Sequence, residues 1–230
     1  MRLSRILAGA ATGALMLGAA TTVQAQEATG PFELSGLVTL TSDYRFRGIS
    51  QTQEDPAVQG GLTATHETGF FVGVWGSSVD FAGSDAWAEL DLIAGYSNTV
   101  GALTYIAQAL YYVYPEESDF NYAEFNLGFS LETGTGFTPS LNVWYAPDIP
   151  GDLENLYVTA GGSFAITDMV SVFANYGKSF IEGPGNYADW NAGVAVDFQG
   201  FTFDVRYVDT DLKGNDLADE RVVASVTYSF

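Results

Sequence analysis

The chain has 230 residues and a formal net charge of −20, from 28 acidic and 8 basic side chains, with no cysteine and one histidine. Those counts exclude disulfide scaffolds, thiolate metal sites, cysteine nucleophiles and multi-histidine metal centres. The acidity argues against a nucleic-acid partner, because a phosphate backbone needs a basic face. The 47% apolar fraction and the aromatic content (16 Phe, 13 Tyr, 4 Trp) argue against disorder.

Met1 to Ala25 reads as a secretory signal. Arg2 and Arg5 form the positive start, Ile6 to Ala20 is apolar and small, and Val23-Gln24-Ala25 fits a small-x-small cleavage site. The apolar run is shorter than the ~20 residues of a membrane helix. Two parts of the precursor are therefore expected: a cleaved signal over 1–25 and a mature domain over 26–230. Loss of Arg2 and Arg5 leaves 28 acidic against 6 basic side chains, a charge of −22.

From Phe32 the dominant period is two, which is the period of strands. Twelve runs are expected, at 33–47, 57–66, 70–79, 86–97, 102–114, 121–131, 137–145, 155–165, 169–180, 187–198, 201–209 and 221–230. In the first, Leu34, Val38, Leu40, Tyr44 and Phe46 share one face, and Ser35, Thr39, Thr41, Asp43, Arg45 and Arg47 share the other. The sixth sets Ala123, Phe125, Leu127, Phe129 and Leu131 against Glu124, Asn126, Gly128 and Ser130. The eleventh sets Phe201, Phe203, Val205 and Tyr207 against Thr202, Asp204 and Arg206.

A soluble sandwich and a membrane barrel both carry this alternation. The connections favour the barrel. Long segments (48–56, 80–85, 115–120, 146–154, 181–186 and 210–220) alternate with short ones, the asymmetry of outer-membrane barrels with long outer loops and short periplasmic turns. An even strand number puts both mature termini in the periplasm. Phe46, Phe70, Tyr96, Tyr145, Phe164, Trp190, Phe198, Phe201 and Tyr228 lie near strand ends on the apolar face, where an aromatic girdle belongs. The chain closes on Tyr228-Ser229-Phe230, which resembles the C-terminal signal read by the barrel-assembly machinery of Gram-negative outer membranes. The expected class is all-β: a single antiparallel transmembrane barrel of about twelve strands in the cell outer membrane, with lipids and lipopolysaccharide as its surroundings.

The segments Ser42-Asp43-Tyr44-Arg45-Phe46-Arg47-Gly48-Ile49-Ser50-Gln51 and Asp55-Pro56-Ala57-Val58-Gln59-Gly60-Gly61 resemble the TorF-like porin family of proteobacteria. So does His66-Glu67-Thr68-Gly69-Phe70-Phe71-Val72-Gly73-Val74-Trp75-Gly76-Ser77-Ser78. The likeness extends over essentially the whole mature chain. It implies an outer-membrane barrel of porin type and carries over neither a solute nor site residues.

Candidate functional residues are those with lumen parity. Arg45, Arg47, Arg206 and Arg221, near Asp43 and Asp204, come from runs that become neighbours on closure; Glu89, Asp91 and Glu124 lie on the opposite wall. Two readings stand open: a transverse field across a constriction that orients polar solutes, or internal ion pairs that stiffen and partly plug the lumen. A mixed lumen with Tyr112, Tyr114, Trp87 and Trp144 pointing in could be closed, which would separate a non-conducting barrel from a porin. Asp209, Asp211 and Glu220 partly match a calcium loop, but Lys213 occupies a ligand position and the flanks are strands, so a plain acidic surface loop is the expectation. Glu54, Asp55 and other acids fall in expected outer loops, where divalent cations could bridge them to lipopolysaccharide. His66, the single histidine, has parity with Val58, Leu62 and Ala64 and no second histidine to serve it, so no enzyme and no cofactor are expected. The expected function is passive or weakly selective passage of ions and small hydrophilic solutes. The alternatives are a non-conducting barrel used as anchor, adhesin or surface receptor, and a soluble periplasmic ligand-binding sandwich.

Overall fold

A computed structural model describes residues 30–183 and 185–230. The signal expected over 1–25 lies outside the described residues. Twelve strands close into one antiparallel barrel: β1 (Phe32–Thr41), β4 (Ala57–His66), β5 (Phe70–Ser78), β6 (Ala88–Val100), β7 (Leu103–Val113), β8 (Tyr122–Leu131), β9 (Phe137–Ile149), β10 (Leu153–Ala165), β11 (Val170–Ile181), β12 (Tyr187–Phe198), β13 (Phe201–Thr210) and β14 (Arg221–Ser229). Between β1 and β4 a separate two-stranded hairpin forms from β2 (Arg45–Phe46) and β3 (Ile49–Ser50).

Each barrel strand pairs with its sequence neighbours, and β1 meets β14 to close the sheet. Closure matters because an open edge would leave a row of unpaired backbone groups. The seam runs from Leu37↔Ser229 to Thr41↔Ser225. Its side chains join as well: Thr39 and Thr227 hydroxyls lie 2.8 Å apart, and Ser225 donates to Thr41 at 3.0 Å. Gly36 and Phe230 exchange both backbone bonds, at 2.8 and 3.0 Å. A Cβ on Gly36 would lie 2.6 Å from the Phe230 ring, so glycine there makes room for the last residue of the chain.

The alternation sorts the side chains. Leu34, Val38, Leu40, Leu92, Phe125, Leu127, Phe203 and Val205 stand exposed on the outer face. Their strand neighbours Thr39, Thr41, Asp91, Glu124, Asn126 and Asp204 are buried inside. The core therefore sits in the lumen, and a belt of large apolar side chains faces outward. At the end that holds both described termini, Phe32 packs on His66, Phe70 on Tyr96, and Phe201 on Tyr228, each with ring centroids 4.9 Å apart. Phe70, Tyr145, Phe164, Phe198, Phe201 and Tyr228 are exposed, as girdle residues should be.

Four sequence expectations are corrected. The first run does not continue to Arg47: β1 ends at Thr41, and residues 42–56 turn into the lumen. Tyr44 and Phe46, expected on the outer face, are 4% exposed inside the barrel. Their parity matched Leu34 and Leu40, but parity sets direction only while the chain stays in the ladder. The expected long segment 146–154 shrinks to a turn at 150–152, because β9 and β10 extend to Ile149 and Leu153. Trp87 is 65% exposed instead of turned in. It precedes β6, and although its carbonyl still accepts from the Val79 amide at 3.1 Å, the inward–outward alternation of the strand does not extend to its side chain.

Candidate functional site: a charged hairpin inside the barrel

The segment 42–56 is held at its base by Arg45. The guanidinium donates to Asp43 at 2.6 Å and Glu54 at 3.2 Å, and to the carbonyls of Gly48 (2.9 Å), Leu217 (3.1 Å) and Asp219 (2.8 Å). Charge-assisted bonds of this kind are the strong ones, and five acceptors satisfy the fork of donors. Asp43 also accepts from Ser50 at 2.6 Å and Thr52 at 3.3 Å, so one buried carboxylate organises both sides of the segment. Arg221 on β14 adds a 2.9 Å pair to Glu54. Glu54, in the long connection between β1 and β4, joins the segment to the barrel wall.

The tip of the hairpin is Phe46-Arg47-Gly48-Ile49. Arg47 adopts φ +46° and Gly48 φ +84°. A non-glycine residue in the left-handed region costs of order 1 kcal/mol and persists only where its surroundings hold it. A Cβ on Gly48 would collide with Thr210 of β13. Glycine thus lets the tip press against the wall, while Ile49 packs with Tyr187 and Ala218.

Arg47 crosses the lumen. Its Nη2 donates to Glu124 on β8 at 2.6 Å, with side-chain exposures of 1% and 0%. The guanidinium carbon lies 4.2 Å from the Tyr157 ring centroid and 4.6 Å from that of Phe46, within cation–π range. Glu124 also accepts from Tyr112 at 3.0 Å, and Tyr112 stacks on Tyr122 at 4.4 Å. Nearby, Glu89 accepts from Tyr44 at 3.1 Å and Tyr114 at 2.7 Å, and Asp189 accepts from Tyr157 at 3.1 Å. Tyrosine hydroxyls supply the donors that these buried carboxylates need. The supply is incomplete. Both oxygens of Asp91, Oδ2 of Asp189, and Nε and Nη1 of Arg47 have no hydrogen-bond partner among the described residues.

The expected walls are thus joined. Arg47 spans from the β1 side to Glu124, Arg45 holds Asp43 and Glu54, and Arg206 pairs with Asp204 at 2.6 Å. Tyr112, Tyr114 and Trp144 point inward as expected and are 0%, 1% and 6% exposed. Inward residues buried at the level of the hairpin recur around the barrel, from Thr41 and Ala57 through Ser77, Tyr112 and Ser179 to Val223. The hairpin fills this section of the lumen with buried side chains. Towards the other end many inward residues are small and partly exposed, including Thr63, Ser140, Ser163 and Thr202, with Phe71 and Phe173 as large exceptions. Asp209 accepts from Tyr207 and the Thr210 amide, and Asp211 from the Ala188 amide. Among the described residues no three His, Cys, Asp or Glu side chains gather as a metal site. The hairpin was the feature sequence reasoning missed. The signal for it was Asp43, Arg45 and Arg47 in alternation with Tyr44 and Phe46, ending at Gly48.

A closed antiparallel barrel with an apolar exterior and a charged interior is the fold of outer-membrane porins. Solved structures agree. The KdgM porin superposes with a TM-score of 0.60 at 10% identity, over 85% of this chain and 99% of that one. The NanC porin gives 0.58 at 10% identity, over 86% and 98%. An outer membrane channel from Pseudomonas putida F1 gives 0.51 at 11% identity, over 85% and 94%. No curated protein matches the chain. Residues 25–230 match a bacterial family described as of unknown function (Gcw_chp), and the chain belongs to that family.

Proposed function

We propose that the protein is a porin-like channel of the outer membrane that passes ions and small hydrophilic solutes passively or with weak selectivity. The observation that carries the reading is the segregation of side chains around a closed barrel: large apolar residues outside, Arg47, Glu89, Asp91, Glu124, Asp204 and Arg206 inside. A soluble sandwich would leave no reason for a belt of exposed Leu, Val and Phe. The similarity to porins supports it, and KdgM, also solved with disordered oligogalacturonate, illustrates a hydrophilic solute in such a barrel. On this reading the chain is a TorF-like porin and both mature termini are periplasmic. Tyr228 and Phe230 are the assembly signal, acidic loops meet lipopolysaccharide outside, and Asp43, Arg45, Arg47, Glu89, Asp91, Glu124, Asp204, Arg206 and Arg221 line or obstruct the pore. No catalytic residue is assigned.

The filled section around the hairpin supports a second reading, a non-conducting barrel used as anchor, adhesin or receptor. Liposome swelling across a panel of neutral, cationic and anionic solutes separates the two. Swelling above protein-free liposomes supports the channel; none with any solute supports the second reading.

A further inference from the structure

The Arg47 guanidinium occupies a pocket built from a carboxylate and an aromatic face. The wall supplies the Glu124 carboxylate at 2.6 Å and the Tyr157 ring at 4.2 Å, with Tyr112 holding the second oxygen of Glu124. A carboxylate beside an aromatic face is the chemistry that recognises guanidinium and ammonium groups. All three wall residues sit on barrel strands, so they stay in place if the tip withdraws. Arg47 comes from an inserted hairpin with a left-handed backbone, and two of its nitrogens have no partner among the described residues. The buried wall beside it holds a further carboxyl oxygen without a donor, Oδ2 of Asp189. The occupant therefore fits imperfectly, and the wall carries more acceptors than the occupant uses.

We propose that this pocket is a recognition site for small organic cations bearing a guanidinium or primary ammonium group, and that Arg47 is its built-in competitor. The proposal rests on the channel reading and adds the solute class to it. A cationic solute entering the lumen displaces Arg47 from Glu124 and Tyr157, and the withdrawn tip opens the filled section. Anions gain nothing there, since the wall offers acceptors and aromatic faces.

The test is equilibrium binding of methylguanidinium, methylammonium and acetate to detergent-folded protein, by calorimetry. Wild type, Arg47→Ala and Arg47→Ala/Glu124→Gln are compared, with folding checked by heat-modifiable gel mobility. Removing the competitor should tighten methylguanidinium binding by roughly tenfold or more, as expected when a site is free in only a minor fraction of molecules. Glu124→Gln should abolish that gain, and acetate should bind none of them. Equal binding to wild type and Arg47→Ala, undiminished binding to the double variant, or acetate binding as well as methylguanidinium would each overturn the proposal. If Arg47→Ala does not fold, Arg47→Gln replaces it. A second readout uses wild type alone: methylguanidinium should speed chymotryptic cleavage after Phe46 at the hairpin tip, and no acceleration at saturating concentrations overturns the competitor. Conductance is measured separately. A barrel that binds the cation without conducting keeps the site and ends the channel reading; one that conducts without binding it loses the site alone.

Discussion

Substituting Glu124 by Gln isolates the contact that holds the hairpin tip. In the folded protein Arg47 and Glu124 form a 2.6 Å pair with side-chain exposures of 1% and 0%. Arg47 Nε and Nη1 already lack partners among the described residues, and Asp189, the other carboxylate near it, makes no hydrogen bond to it. Removing one member of a buried pair costs about 3–5 kcal/mol, because the other stays buried and unpaired. Here the cost has an escape: the tip leaves the wall and the guanidinium reaches water. At about 1.4 kcal/mol per factor of ten, the withdrawn population should rise roughly a hundredfold to a few thousandfold. Trypsin reads that population, since it cuts after arginine and reaches Arg47 only in the withdrawn state, and cleavage tracks the open fraction when reclosing is fast. Folded wild type in detergent should resist cleavage after Arg47, while Glu124→Gln is cut at least about fiftyfold faster with the barrel intact. Cleavage rates within a few-fold of each other would refute the reasoning, because the pair would then hold nothing.

Two other predictions address the wall. Leu127→Arg, on the exposed outer face of β8, should destabilise folding into lipid vesicles by about 2–4 kcal/mol, measured as a shift in urea midpoint. A change under about 0.5 kcal/mol, normal for a water-facing residue, would count against membrane insertion. Gly36→Val drives a side chain into the Phe230 ring and Leu62 at the seam, where the Cβ alone comes within 2.6 and 2.8 Å. Both contacts are to the far ends of exposed side chains that can swing aside, so the yield of heat-modifiable barrel should fall by less than about twofold, and a several-fold loss would show that the seam holds the Phe230 ring in place.

Most of the barrel was legible in the sequence because the alternation persists through most of its strands. Phe125, Leu127 and Phe129 against Glu124, Asn126 and Gly128 leave one way to lie in a sheet, and the structure keeps it. The even strand number and the loop asymmetry follow from the same pattern. Residues 42–56 were not legible, for a physical reason. Tyr44 and Phe46 continue the apolar parity of Leu34, Val38 and Leu40, and an aromatic ring is as well buried in a filled lumen as on an outer face. Only the tertiary partners decide: Glu89 for the Tyr44 hydroxyl, Glu124 and Tyr157 for Arg47. Those partners lie 45 to 110 positions away and share no local spacing with the hairpin. The residues themselves were visible as candidates because arginines are scarce and share lumen parity. Their pairing across the lumen was not, since parity gives a face and leaves the distance open. Trp87 shows the same limit at a strand end.

The central claim is that this barrel is a channel closed by its own charged hairpin. Planar-bilayer recording of wild type beside Arg47→Ala, in a potassium chloride gradient, tests it most directly. Closure by the hairpin predicts a small or rarely open conductance for wild type. The variant should show a several-fold larger, cation-selective conductance, because the lumen wall then keeps Glu89, Asp91, Glu124 and Asp189 without Arg47. Unchanged conductance and selectivity in a variant that folds would contradict it.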